Sequence, residues 1–388
     1  GLGNYRDFRE HSVLDQAQCN YTTNTYQNHN VSLQYRIVRT KYRLTTGENV
    51  QPQINSVDYT KGYKSYDVTR HVVNASPTVD FRYRFSKVEQ LRIRYGGNTG
   101  QPGITDLIPD TLSNANPLNI RLGNPGLKPS FTQNMRVDYQ KSIPALQRAF
   151  SADLQYMLTQ NSVTNRTEYN EETGGRITQP ENVNGNWDAS AKHTLRYSFG
   201  EGKKHSMDIT SNFNYRNSVD LMAEAGAAQA TRSIVRNAAL SVAPKLSLTL
   251  GKHALNITSD VSWNRYAGTR ATFQNISAWQ YRIGADGTVH LPWQFDLTTD
   301  LTLYGRTGYA DAQLNTADLV WNARLARPFC KGKLLVMVDG FDILGQLSNV
   351  TRTVNAQGRT ETYTNVMPRY ALLHVMYRFT KHPKKKGK

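Results

Sequence analysis

The sequence has little of what a membrane helix or a disulfide-stapled domain requires. Apolar residues make up only 38% of its 388 residues, and mean hydropathy is −0.61. No stretch approaches the roughly 18 to 20 continuous apolar residues of a spanning helix, which excludes a helical membrane protein. There are two cysteines, Cys19 and Cys330, too few for a disulfide framework. No Walker loop, HExxH or CxxC occurs. The nine histidines, His71 and His374 among them, are scattered without metal-ligand spacing. No enzymatic activity, metal or cofactor is therefore expected. The opening residues GLGNYRDFRE hold no initiator Met, basic n-region or apolar h-region. A mature or truncated product is expected, starting in the middle of something larger.

Acidic residues are also outnumbered, 30 against 47 basic, for a net charge of +17. Such a value suggests a nucleic-acid partner. The distribution argues otherwise. Arginines alternate with apolar residues in Phe81-Arg82-Tyr83-Arg84-Phe85 and in Leu91-Arg92-Ile93-Arg94-Tyr95. They share one face of a strand. The dense run is the tail Lys381–Lys388, read as a solvated end.

What the chain does contain is alternation. In Tyr370–Phe379, Ala371, Leu373, Val375, Tyr377 and Phe379 fall on one face, and Tyr370, Leu372, His374, Met376 and Arg378 on the other. A period of two specifies a β-strand. Similar segments recur from about residue 30 to residue 379, about 15 in all and many of 10 or more residues. Soluble strands favour about 5 to 6 residues and membrane strands need about 9 to 11. Asp208, Asp260, Asp296 and Asp300 sit inside such strands opposite apolar residues. A soluble sandwich and a barrel with a wet lumen both tolerate them. The Gly305–Tyr309 segment invites a phosphate-loop reading, but it lies at a strand top rather than between strand and helix.

The connections separate the two architectures. Short ones, at 39–41, 86–89, 142–147, 200–203, 251–252, 291–293 and 330–332, alternate with mostly long ones at 55–74, 100–130, 168–182, 220–230 and 345–367. Short turns at one end and long loops at the other mark an outer-membrane barrel, with the short turns periplasmic. The expected fold is therefore an all-β, antiparallel transmembrane barrel. Counting back from the last strand makes the C-terminus periplasmic. Residues 1–27 become an external loop segment continuing from a missing N-terminal part, 28–380 the barrel and 381–388 a basic periplasmic tail. Cys19 and Cys330 then lie on opposite sides of a core roughly 25 to 30 Å thick, too far to pair. An odd strand count leaves the sheet incomplete, so the remaining strands are expected either on a separate N-terminal fragment of the same protein or on a part not included in this chain.

Four segments carry a family resemblance. Gly123-Asn124-Pro125-Gly126-Leu127-Lys128-Pro129-Ser130 resembles the GNPxLKPE segment of TonB-dependent receptors, departing at Ser130 where Glu is common. Pro180–Gly185 (PENVNG) resembles the start of a strand in the Bacteroidetes branch of that family. Asp342-Ile343-Leu344-Gly345-Gln346 resembles its DILNQ segment, and Arg369-Tyr370 with Tyr377-Arg378-Phe379 its RY…YRF ending. The resemblance implies a barrel of about 22 strands around a plug. About 15 of them, and no plug, fall within this chain. It further implies outer-membrane localisation and uptake of a scarce nutrient powered by the TonB complex. Implied partners are outer-membrane lipid and lipopolysaccharide, a separate plug-bearing fragment and a surface lipoprotein. The candidate ligand-binding loops are 100–130 and 345–367. A structural scaffold subunit and a passive porin are the alternatives.

Overall fold

In the computed structural model the described residues are 19–113, 118–170, 174–222, 230–270, 273–310, 312–346, 350–355, 358–363, 367 and 369–379. The basic tail 381–388 and residues 1–18 lie outside them. The strands are β1 (Asn20–Asn28), β2 (Val31–Val38), β3 (Tyr42–Lys61), β4 (Lys64–Ser86), β5 (Glu89–Gly100), β6 (Thr111–Ser113), β7 (Asn119–Leu122), β8 (Ser130–Ile143), β9 (Arg148–Gln160), β10 (Ser162–Asn170) and β11 (Gly175–Val183). They continue as β12 (Asn186–Phe199), β13 (His205–Met222), β14 (Thr231–Leu250), β15 (His253–Gly268), β16 (Ile276–Leu291), β17 (Phe295–Thr307), β18 (Thr316–Phe329), β19 (Leu334–Phe341), β20 (Val350–Asn355), β21 (Gly358–Tyr363) and β22 (Tyr370–Tyr377). Twenty of these form one sheet, while β20 and β21 pair only with each other. No helix among the described residues is long and apolar enough to cross a membrane, which says nothing against crossing by strands.

The order at mid-height is β2-β3-β4-β5-β8-β9-β12-β13-β14-β15-β16-β17-β18-β19-β22, antiparallel throughout. That is fifteen strand positions, in agreement with the alternation in the sequence. The larger number of strand segments arises because long strands break: β1 and β2 both pair with β3 along one edge. Among the described residues, β22 and β2 share no pairing.

Register keeps each face chemically uniform. Tyr42 pairs with Tyr83 and Leu44 with Phe81, while the alternate positions pair Arg43 with Arg82 and Thr45 with Asp80. The apolar face is left uncovered, with Leu33 77%, Leu373 70% and Val375 64% exposed. Large side chains left bare in rows suit lipid as the neighbouring medium. The opposite face is polar and internally paired. Arg94 meets Asp138 at 2.6 Å, Arg136 meets Asp153 at 2.5 Å, and Arg196 meets Asp208 at 2.6 Å.

Two expectations change. Residues 20–27, within the segment 1–27 read as external loop, belong to β1, whose backbone continues the ladder on β3. The connections at 55–74 and 168–182 are hairpins rather than irregular loops. β3 and β4 stay paired up to Lys61 and Lys64, and β10 pairs with β11. The reason is solvent. Above the lipid both faces meet water, so the hydrophobic period fades while the backbone ladder continues.

Candidate functional site

The long-loop end is organised by the 100–130 connection, the first of the two candidate loops. It holds a short 3-10 turn at Ile104–Leu107, then β6 and β7, before the chain enters β8. Ile104, Leu107 and Leu127 bury against Val57 of β3, with Val68 of β4 packed alongside. Val57 lies an even number of residues from Arg43 along an unbroken register, so it belongs to the polar, inward face. The loop therefore folds over the interior of the mouth. Burial of these four side chains contributes about 1.5 to 3 kcal/mol each.

Polar contacts fix the same block to the β3–β4 hairpin. Arg70 donates to the Leu127 carbonyl at 3.1 Å, and the Tyr66 hydroxyl donates to Asp110 at 3.0 Å. Both residues lie high on the hairpin, above the lipid-facing band. Burial lowers the Arg70 guanidinium from its ordinary range. Partial burial, then the hydrogen bond and charge of Asp110, raises the Tyr66 phenol. Within the loop, Arg121 pairs with Asp106 at 2.8 Å.

The GNPGLKP segment turns around Asn124. Its side-chain Oδ1 accepts from the Gly126 N–H at 2.9 Å, an Asx turn that sets the chain direction. Its Nδ2 donates to the Pro180 carbonyl at 2.9 Å. Gly123 has no room for a side chain, because a Cβ there would run into the Ile108 carbonyl. Gln179 donates to the Gly123 carbonyl at 3.0 Å, and Asn182 holds both backbone groups of Lys128. The first two resemblance motifs thus meet in space, which their separation in sequence does not reveal.

The second motif also manages a crossing. β9–β12 and β10–β11 form one ribbon with the same register on either side of a break at Asn161 and Asn184. Below the break β9 lies beside β8 and β12 beside β13. Above it β11 lies parallel to β7 and β10 parallel to the end of β13. The ribbon has turned over by half a rotation, an extreme of the twist that two-stranded ribbons favour. Asn161 at φ 50° and Gly185 at φ 111° make the turn. The Asn184 side chain accepts from the Asn161 N–H at 2.7 Å, and Asn217 donates to the Gly185 carbonyl at 2.7 Å. Beneath the crossing, a hollow of about 450 Å³ lies on the inward face, lined by Gln155, Asp188, Ser190, Asn214, Arg216 and Asn237 among others.

The other two motifs are strand-top clamps. Asp342, at φ 43°, accepts from the Gln346 N–H at 3.0 Å, and Gln346 accepts from the Leu319 N–H at 3.1 Å. Tyr370 stacks on Phe341 at 4.6 Å. The second candidate loop, 345–367, contains the β20–β21 hairpin, and its other positions fall largely outside the described residues. Among the described residues no group of three or more His, Cys, Asp or Glu is placed to hold a metal ion.

A family model described as an outer membrane protein beta-barrel family matches residues 47–252, just over half of the chain. No curated protein matches it. Among solved structures it is similar to the ferric-catecholate import receptor Fiu from E. coli K12 in its open form, with a TM-score of 0.37 and 10% identity. That similarity covers 92% of this chain and 64% of the receptor, so the chain spans less than two thirds of the receptor's length.

Proposed function

Because the chain belongs to the outer membrane protein β-barrel family, we propose that it is the barrel portion of a receptor-like transporter that captures a scarce nutrient at its long-loop mouth. The observation that carries this reading is the 104–129 block, seated on the inward face of β3 and β4 rather than splayed outward. A loop held over the interior stands between the outside and the lumen. Asn182, Asn124 and Arg70 hold it by hydrogen bonds that a ligand or a neighbouring segment can replace. The hollow beneath the crossing offers amide, hydroxyl and charged groups to a polar solute.

The reading assigns no reaction to the chain. It places the short turns and the C-terminus in the periplasm, and it draws the plug and the TonB complex from the motif resemblance. It also includes further barrel strands outside residues 1–388, on a companion polypeptide or elsewhere in the same protein. In lipid each unpaired backbone group of an open edge costs several kcal/mol, and the edges of β2 and β22 that have no partner among the described residues need cover. The same open edges favour a second reading, in which the barrel is a scaffold subunit of an envelope complex.

Removing residues 104–122 in cells tests the choice. Transport predicts normal barrel levels but lost growth when one of iron chelates, glycans, peptides or vitamins is limiting. Parental growth under every limitation overturns it, and envelope proteins co-purifying from the same extracts would then support the scaffold.

A further inference from the structure

At the short-turn end the inward face carries charge that the mouth reading does not use. Arg43 of β3, Arg82 of β4 and Arg92 of β5 stand directly opposite one another across two ladders. Like charges in facing positions destabilise a sheet unless something compensates them. Two carboxylates compensate part of this charge: Asp138 of β8 continues the row directly opposite Arg92, and Asp80 lies a row above. Asp80 is bound by Arg92 at 2.9 and 2.5 Å and approached by Arg43 at 3.9 Å. Arg82 forms no ion pair among the described residues, and the Nε groups of Arg43 and Arg82 are buried without a partner. A cleft of about 180 Å³ opens here, lined by Arg39, Lys41, Arg43, Arg82 and Arg84 with no carboxylate. Through Thr40, Lys41 and Arg84 it shares lining with a cavity of about 900 Å³ that adds Lys87, Lys141, which pairs with Glu89 at 3.2 Å, and Arg196, which pairs with Asp208 at 2.6 Å.

We propose that this cleft and cavity form a binding site for a small multivalent oxyanion, one carrying clustered phosphate or carboxylate groups. The guanidinium fork suits such oxygens, with two parallel N–H donors for each group. The cleft has the size of one anionic head. The larger cavity, which reaches the rim where Phe85 and Phe150 of the apolar face meet the polar lining, takes the rest of a molecule of metabolite size. Anion binding also relieves the repulsion among the facing arginines. Occupancy therefore stabilises the sheet, and loss of Arg82 stabilises the empty barrel.

Inorganic tripolyphosphate is the probe, added to protein extracted from outer membranes in detergent. Calorimetry at low salt should show saturable binding, and a rise in the temperature at which the barrel unfolds on gels. Arg82→Gln with Arg84→Gln should weaken binding about tenfold or more and raise the anion-free unfolding temperature. Arg236→Gln with Arg265→Gln, an equal loss of charge on the outward face, should change affinity less than about twofold. Phenylglyoxal labelling read by mass spectrometry tests the wild type directly, with tripolyphosphate protecting Arg82 and Arg84. Absence of wild-type binding, equal weakening by both variant pairs, or unprotected arginines overturns the proposal. So does binding of a hexa-aspartate peptide without binding of tripolyphosphate, which would assign the site to an acidic polypeptide.

Discussion

Asn182 holds Lys128 by both ends of its peptide unit: its Oδ1 accepts from the Lys128 N–H at 2.7 Å and its Nδ2 donates to the Lys128 carbonyl at 3.0 Å. The same Nδ2 reaches the Asn161 carbonyl at 2.8 Å, so one amide ties the mouth loop to the crossing ribbon. Asn182→Ala should loosen the loop by about 2 kcal/mol, the net of the lost hydrogen bonds. Hydrogen exchange at the Lys128 amide should then speed up roughly 30-fold, with the membrane-level strands unaffected. Unchanged exchange would mean that the loop is held elsewhere.

Leu107 is 4% exposed at the centre of the inward-folded block. Leu107→Ala should cost about 3 kcal/mol of loop docking. Limited proteolysis should cut within 104–129 faster, while the barrel keeps its resistance to heating in detergent. A barrel that loses heat resistance as well would show that the loop supports the sheet.

The two faces of β17 should tolerate opposite chemistry. Leu301 is on the apolar face and Thr302 on the polar face. Leu301→Arg should oppose membrane assembly by about 2 to 4 kcal/mol, and Thr302→Arg should assemble normally. Folding yields into lipid vesicles measure the difference, and equal yields would remove lipid as the outward medium.

Asp339 is 2% exposed and anchors the final strand pairing. It accepts from Arg324 at 2.5 and 2.9 Å and meets His374 of β22 at 2.9 Å. Asp339→Asn leaves Arg324, itself half-exposed, without its counter-charge, at a cost of about 2 kcal/mol. The gel unfolding temperature should fall, and adding Arg324→Gln should recover part of the loss. No recovery in the double variant would place the cost elsewhere.

Cys330 is exposed in the turn between β18 and β19, and Cys19 is buried. If the short turns lie in the periplasm, as proposed, a membrane-impermeant maleimide should label Cys330 only after the outer membrane is permeabilised. Labelling in intact cells would invert the orientation.

The membrane-level strands were legible because lipid on one side and polar groups on the other force a period of two on every strand. Leu297, Leu301 and Leu303 against Asp296, Thr298 and Asp300 show it within one strand. The regions above the lipid were not legible in the same way. With water on both sides of Asn165 and Thr178 no face is selected, so paired hairpins read as loops. Two of the four motifs, Gly123–Ser130 and Pro180–Gly185, were visible as turn chemistry, with Gly, Pro and Asn between strands. Their partners were not, since Lys128 and Asn182 are joined only by the fold.

The sequence by itself determined the faces of the sheet, the short turns and the number of strand positions, because each follows from solvent and local turn geometry over a few residues. Only the tertiary structure decided that the 104–129 block folds inward. It also decided that the β9–β12 ribbon turns over at Asn161 and Gly185, and that Arg43, Arg82 and Arg92 stand in one row. These depend on register and on contacts between segments distant along the chain, which local periodicity does not encode.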